Sequence, residues 1–141
     1  MKILFTLDDG ATAPTRAHST DAGLDLYALE TDTISPGDRE LISTGVHVAI
    51  PAGYVGMICP RSGLAHKHGL TVLNAPGIID AGYTGEIKVN LHNTDSRPQH
   101  VDAGDRIAQL VITPIPDARL EQVDTLEATE RGENGHGSTG Q

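Results

Sequence analysis

Short runs in which apolar and polar residues alternate recur along the chain, and each is closed off by glycine, proline, asparagine or aspartate. Ile3 to Leu7, Leu24 to Leu29, Thr33 to Ile34, Arg39 to Ser43, Val46 to Ile50, Tyr54 to Ile58, Leu70 to Leu73, Glu86 to Leu91, Arg106 to Thr113 and Arg119 to Val123 read as β-strands. Ser35-Pro36-Gly37-Asp38, Pro51-Ala52-Gly53 and Asp102-Ala103-Gly104-Asp105 are turn punctuation between them. No long stretch repeats at the helical period. One short helix fits Ser62 to His68, and Gly69 is placed to stop it. The pattern predicts an all-β protein, a sandwich, jelly roll or barrel of short strands with one short helix.

Composition narrows what such a fold can do. The 141 residues fit one domain, but only 38% are hydrophobic and 3% aromatic, with Phe5 the single phenylalanine and no tryptophan. The core must therefore be built from Val, Ile, Leu and Ala, and burial against other copies would help it. A net charge of −9 argues against a protein that binds nucleic-acid backbones. Arg61, Lys67, Arg106 and Arg131 nevertheless fall within glycine-containing segments, so positive charge can be focused locally on a small polyanion. A lone Cys59 excludes an intrachain disulfide framework and fits a reducing compartment, with the cytoplasm as the default. The apolar start, residues 1–7, is too short for a signal peptide and runs into Asp8 and Asp9. No apolar run approaches the ~18 residues that a membrane span needs.

Residues 131–141 differ from the rest, with four glycines and nothing aliphatic. Such a segment builds no core of its own. It divides the chain into a β domain, residues 1–130, and a Gly-rich tail that is either a loose terminus or a flap offering Arg131, Ser138 and Thr139 to phosphates. The tail holds a formal GxGxxG from Gly135 to Gly140, without the preceding strand and following helix that a dinucleotide fold requires. No Walker-type phosphate loop occurs. Seven histidines, His18, His47, His66, His68, His92, His100 and His136, form no zinc motif and read as solvated side chains.

The candidate chemistry lies between residues 60 and 93. Arg61, Ser62 and Gly63 offer a charged fork, a hydroxyl and close backbone approach, all suited to phosphate oxygens. A Gly-rich hairpin then carries Asp80 within Gly77-Ile78-Ile79-Asp80-Ala81-Gly82-Tyr83-Thr84-Gly85. An aspartate in a turn often serves only its own backbone, through Asx-type hydrogen bonds. Here Tyr83 offers a flat face for a sugar, the hairpin backbone can read a base edge, and a carboxylate of ordinary acidity can take a proton from water. Asp25 is either a solvated turn residue or a partner for metal-bound water, and any metal would be Mg²⁺ carried on phosphates. Asp105 and Arg106 suggest a structural ion pair, with Gln109 facing core or ligand.

Together these segments resemble the homotrimeric deoxyuridine triphosphatase (dUTP diphosphatase) family. The resemblance rests on DAGLDLYA at 21–28, PRSGLAHKHG at 60–69, NAPGIIDAGYTGEI at 74–87, GDRIAQLV at 104–111 and RGENGHGSTG at 131–140, in order over nearly the whole chain. It implies a jelly-roll-like protomer and a homotrimer whose three active sites each draw on all three chains, the C-terminal tail closing a neighbour's site. It further implies hydrolysis of dUTP to dUMP and pyrophosphate, which limits uracil incorporation into DNA and supplies dUMP for thymidylate synthesis. Asp80 would be the general base for water attacking the α-phosphorus. Arg61, Ser62 and Gly63 would hold phosphates with help from Gln109, and Asp25 would steer Mg²⁺-bound water. Asn74 and the backbone of Gly77, Ile78, Ile79 and Asp80, with Lys88 nearby, would read uracil, while Tyr83 packs on deoxyribose. Arg131, His136, Gly137, Ser138 and Thr139 would close over the substrate. His136 departs from the family, where phenylalanine is common, and its imidazole would stack with less apolar area and bring pH sensitivity.

Two other functions share the scaffold. The related deoxycytidine triphosphate deaminases place a catalytic glutamate on the strand after the hairpin, where this chain has Asn90. A catalytically silent nucleotide-binding regulator would have no need of Asp80, Arg61 and Ser62 together.

Overall fold

The computed structural model describes residues 1–135. Along the chain come β1 (Leu4–Leu7), β2 (Gly23–Tyr27), β3 (Asp32–Ile34), β4 (Arg39–Ala49), β5 (Tyr54–Cys59), α1 (Ser62–His68), β6 (Leu70–Val72), β7 (Gly77–Ile79), β8 (Glu86–Asn93), β9 (Gln99–Val101) and β10 (Arg106–Pro114). Two antiparallel four-stranded sheets, β1-β4-β8-β6 and β2-β10-β5-β7, hold the core between them, and a β3-β9 ribbon adds Ile34 and Val101 to it. The all-β expectation with one short helix holds.

β8 shows how the alternation positions chemistry. Ile87, Val89, Leu91 and Asn93 are all buried, while Glu86, Lys88 and Asn90 face a surface cleft. Each buried aliphatic contributes about 1.5–3 kcal/mol relative to exposure, so a one-residue slip is strongly disfavoured and the polar face is fixed with the apolar one. Asn93 is fully buried yet satisfied. Its Nδ2 donates to the Ile34 and Arg97 carbonyls at 2.9 Å each, and its Oδ1 accepts from the Asp95 amide at 2.9 Å.

The two segments expected at Arg39 to Ser43 and Val46 to Ile50 are one strand, β4, interrupted by a bulge between Ser43 and Val46. Buried Thr44 donates its hydroxyl to the Ile87 carbonyl and accepts from the Val46 amide. Gly45 takes φ +65° there, and a Cβ on it would stand 2.6 Å from Ala11 Cβ. A second bulge, in β10 between Arg106 and Ala108, sets Arg106 opposite Tyr27 and Gln109 opposite Asp25. Residues three apart in a regular strand face opposite ways; the extra residue, Ile107, puts Arg106 and Gln109 on one face.

The expected helix is present with its stop. Gly69 adopts φ +62° and donates to the Leu64 carbonyl, and a Cβ there would lie 2.9 Å from the Asp95 nitrogen. Two expectations fail. β7 and β8 are not a hairpin: β7 pairs with β5, while both edges of β8 are taken by β4 and β6. Arg119 to Val123 is not a strand, since its single apolar positions, Leu120 and Val123, are exposed and no neighbouring edge accepts its backbone. Among the described residues no helix is long and apolar enough to cross a membrane.

Candidate active site

Two clefts hold the candidate residues. The first, of about 250 Å³, is lined by Asn74, Gly77, Ile78, Ile79, Asp80 and Tyr83 from the β7 side and by Glu86, Lys88 and Asn90 from β8, over a floor of Ile58 and Val72. β7 is the last strand of its sheet, so one edge of its backbone is unpaired and can meet a planar hydrogen-bonding ligand. Asp80 follows directly and is exposed. The Tyr83 amide donates to the Asp80 carbonyl at 3.1 Å, and the Tyr83 hydroxyl donates to the Glu86 carbonyl at 2.9 Å. The ring thereby lies on Gly85, where a Cβ would come within 2.5 Å of its hydroxyl oxygen. Gly85 is needed for this close approach.

Glu86 is tied on both sides. Its Oε1 accepts from the Gly45 amide at 3.0 Å and its Oε2 lies 3.4 Å from Lys88 Nζ. Burial pushes its carboxyl toward the neutral form, but the Gly45 amide and Lys88 outweigh this and hold the pKa below the usual value.

The second cleft, of about 420 Å³, is lined by Asp21, Gly23, Asp25, Arg61, Ser62, Gly63, Arg106 and Gln109 along with Ala17 and Ala22. Arg61 Nε donates to Asp25 Oδ1 at 2.9 Å, Arg106 Nη1 lies 3.4 Å from Asp25 Oδ2, and Arg61 Nη1 donates to the Arg106 carbonyl at 3.2 Å. One carboxylate orients two guanidinium groups. Gln109 Nε2 donates to the Pro60 carbonyl at 2.9 Å, bracing the residue before Arg61. This needs a bare Cα opposite, because a Cβ on Gly23 would stand 2.2 Å from Gln109 Oε1. At Gly63 a Cβ would meet nothing within 4 Å. No packing in the fold demands that glycine, and the space beside it is cleft. Ala65 makes the first helical bond, to Arg61, so the amides of Ser62 and Gly63 have no intrahelical partner.

Among the described residues no group of three or more His, Cys, Asp or Glu side chains could hold a metal ion. Two carboxylates, Asp21 and Asp25, line the second cleft; Asp21 accepts from the His18 amide, and Asp25 has lone pairs beyond those facing the arginines. That donor set fits Mg²⁺ carried on phosphates and met through a water, and does not fit a protein-only cage.

All the residues expected to read base and sugar, Asn74, Gly77, Ile78, Ile79, Asp80, Tyr83 and Lys88, line the first cleft. Arg61, Ser62, Gly63, Gln109 and Asp25 line the second. No lining residue is shared between the two. Asp25 is no solvated turn residue, being in β2 and held by two arginines. The expected Asp105–Arg106 pair is absent: Asp105 accepts from the Asp102 amide at 3.0 Å while Arg106 reaches Asp25. Arg131 lies in the exposed tail, donating to the Asn134 carbonyl at 3.1 Å, outside both clefts. His136, Gly137, Ser138 and Thr139 lie outside the described residues. Arg106 as a second cation on Asp25 was not read from the sequence, and only a bulge in β10, which leaves no signature there, could have revealed it.

The dUTPase family model matches residues 9–140. The deoxyuridine 5'-triphosphate nucleotidohydrolase of Cutibacterium acnes is 55% identical over 128 residues, covering 90% of this chain and 84% of that protein. The enzyme of the same name from Mycobacterium bovis is 51% identical, covering 97% and 93%. Among solved structures, a mutant dUTPase of Staphylococcus bacteriophage 80alpha with dUpNHpp superposes at a TM-score of 0.91 with 34% identity, covering 99% of this chain and 98% of that one. A mutant dUTPase from phage phi11 of S. aureus, described with a structural Mg(II) ion, gives 0.84 with 32% identity, covering 91% and 100%.

Proposed function

We infer that this chain, which belongs to the dUTPase family, hydrolyses dUTP to dUMP and pyrophosphate. The observation that carries the assignment of residues is the division of labour between the clefts. The first presents a free strand edge, the Asn74 amide and the exposed Asp80 carboxylate, Glu86 being engaged by the Gly45 amide and Lys88; the second presents two oriented guanidinium groups and unpaired backbone amides. Uracil hydrogen-bonds to the β7 edge and Asn74, in a slot too tight for the methyl of thymine, and Tyr83 packs on the deoxyribose. Asp80 takes a proton from a water as its oxygen attacks the α-phosphorus. The bond from that phosphorus to the bridging oxygen breaks, and pyrophosphate leaves with the electron pair. Arg61, with the hydroxyl of Ser62 and the amides near Gly63, stabilises charge growing on the phosphate oxygens, and Gln109 keeps Arg61 in place. Mg²⁺, bound to the triphosphate and met by Asp25 through water, would neutralise phosphate charge.

The two clefts share no residue, which supports completion of each site by another copy of the chain, as a homotrimer would provide. Leu120, Val123 and Leu126 support this too, standing exposed on a segment after β10 that packs against no part of the core. That arm carries residues 131–141 to a neighbour's site, where Arg131, His136, Gly137, Ser138 and Thr139 close over the substrate. Unpaired Cys59 supports a reducing, cytoplasmic setting.

Deamination is disfavoured because Asn90 lines the first cleft where a proton-transferring carboxylate would be needed, and an amide cannot serve. Pyrophosphate release from dUTP, UTP, dTTP and dCTP tests the reading. Turnover of dUTP far above the other three is expected; ammonia from dCTP, or equal turnover of dTTP, would overturn it.

A further inference from the structure

Outside the two clefts, His47 is engaged at both ring nitrogens. His47 of β4 lies opposite Thr6 of β1 on one side and Glu86 of β8 on the other. Its Nδ1 is 3.0 Å from the Thr84 carbonyl oxygen, and its Nε2 is 3.2 Å from Asp8 Oδ2, just past the end of β1. A carbonyl only accepts, and so does an ionised carboxylate. A neutral imidazole has one N–H and can satisfy one of these partners; the imidazolium satisfies both.

Thr84 belongs to the loop between β7 and β8 that carries Asp80 and Tyr83. Within that loop, Tyr83 bonds back to Asp80 and forward to Glu86. Among the described residues, His47 is the side chain from another element that hydrogen-bonds the loop. Resting on the dUTP-hydrolysis reading above, we propose that His47 is a positioning residue: by bridging Asp8 to the Thr84 carbonyl it fixes the loop that aims Asp80 and Tyr83 into the first cleft. It lines neither cleft and acts through the loop.

The charges around it favour the bridging form. Asp8 faces it from the β1 side and Glu86 from β8, where Lys88 is engaged by Glu86 rather than by the imidazole. The hydrogen bond to Thr84 and then that to Asp8 raise the His47 pKa above 6.5; partial burial opposes them, and the negative charges of Asp8 and Glu86 add to the rise. A pKa raised by folding means the bridge is complete below about pH 6.5 and loses one of its two bonds as pH climbs through the raised value.

The test measures pyrophosphate release from dUTP between pH 6 and 9 by the full-length wild type, His47→Ala and His47→Asn, with amide exchange across residues 81–85. At pH 6, His47→Ala is expected to lower kcat roughly fivefold, what one ordinary hydrogen bond is worth, with KM changed less than twofold. The deficit shrinks toward pH 9, where the wild type has itself lost a bond. His47→Asn, which donates to Thr84 without charge, restores most of kcat and removes the pH dependence of the deficit. Exchange of the loop amides quickens in His47→Ala and, more weakly, in Asp8→Ala. Should His47→Ala not fold, Asp8→Ala decides through loop exchange and an NMR titration in which the His47 pKa drops. Wild-type kcat with unchanged loop exchange would overturn the proposal. A wild type inert toward dUTP would contradict the functional reading instead, leaving loop exchange to decide the bridge.

Discussion

Arg61 holds Asp25 by a 2.9 Å hydrogen bond from Nε, which leaves its Nη2 nitrogen free at the cleft while Nη1 binds the Arg106 carbonyl. The guanidinium is planar and its donors are fixed in a fork, so pinning one edge aims the other. A lysine carries the charge but cannot satisfy Asp25, the Arg106 carbonyl and a phosphate together. Arg61→Lys is therefore expected to fold with little change in melting temperature, since the pair is partly solvated, and to lose roughly 100-fold in kcat/KM. Steady-state kinetics beside a thermal melt check both halves.

Two glycines of the second cleft are expected to differ in both folding and catalysis. At Gly63 an added Cβ meets nothing, so Gly63→Ala should melt as wild type while its methyl intrudes on the phosphates, raising KM roughly tenfold. At Gly23 the Cβ meets the flexible end of Gln109 at 2.2 Å and also its Cβ at 3.1 Å, so Gly23→Ala should lower the melting temperature as well as release the Pro60 carbonyl. Gly23→Ala should lower kcat more than it raises KM.

Asn93 tests the fold rather than the site. Replacing it with alanine strands the Ile34 and Arg97 carbonyls and the Asp95 amide at a position with no solvent exposure. A loss of about 3 kcal/mol is expected in denaturant unfolding.

The tail contributes no buried side chain from residue 131 to 135. A chain ending at Glu130 should therefore keep the far-UV circular dichroism and melting temperature of the full chain, and lose most of its kcat/KM for dUTP. Loss of folded structure would show the tail to be part of the scaffold.

What could be read in the sequence divides along physical lines. The alternation Ile87, Val89, Leu91 marked β8 and its cleft-facing side, and the Ser62 to His68 helix with Gly69 after it was legible because both signals are local. Which strand β7 would pair with was not legible, because strand edges are allotted by the whole sheet and β8 had none to offer. The bulge in β10 inverted the phase of Arg106 relative to Gln109, and a period-2 reading has no means of detecting an inserted residue. Asn93, His47 and the Arg106–Asp25 contact depend on partners between 37 and 81 positions away, except for the local bonds of Asn93 to Asp95 and Arg97.

The central claim is that Asp80 draws a proton from a water that attacks the α-phosphorus of dUTP. Turnover in ¹⁸O-labelled water, followed by mass spectrometry of both products, tests it most directly, with Asp80→Asn as the companion, expected to lose 10²–10⁴-fold in kcat. The label should enter dUMP and be absent from pyrophosphate; label in the pyrophosphate would place the attack on the β-phosphorus and contradict the mechanism.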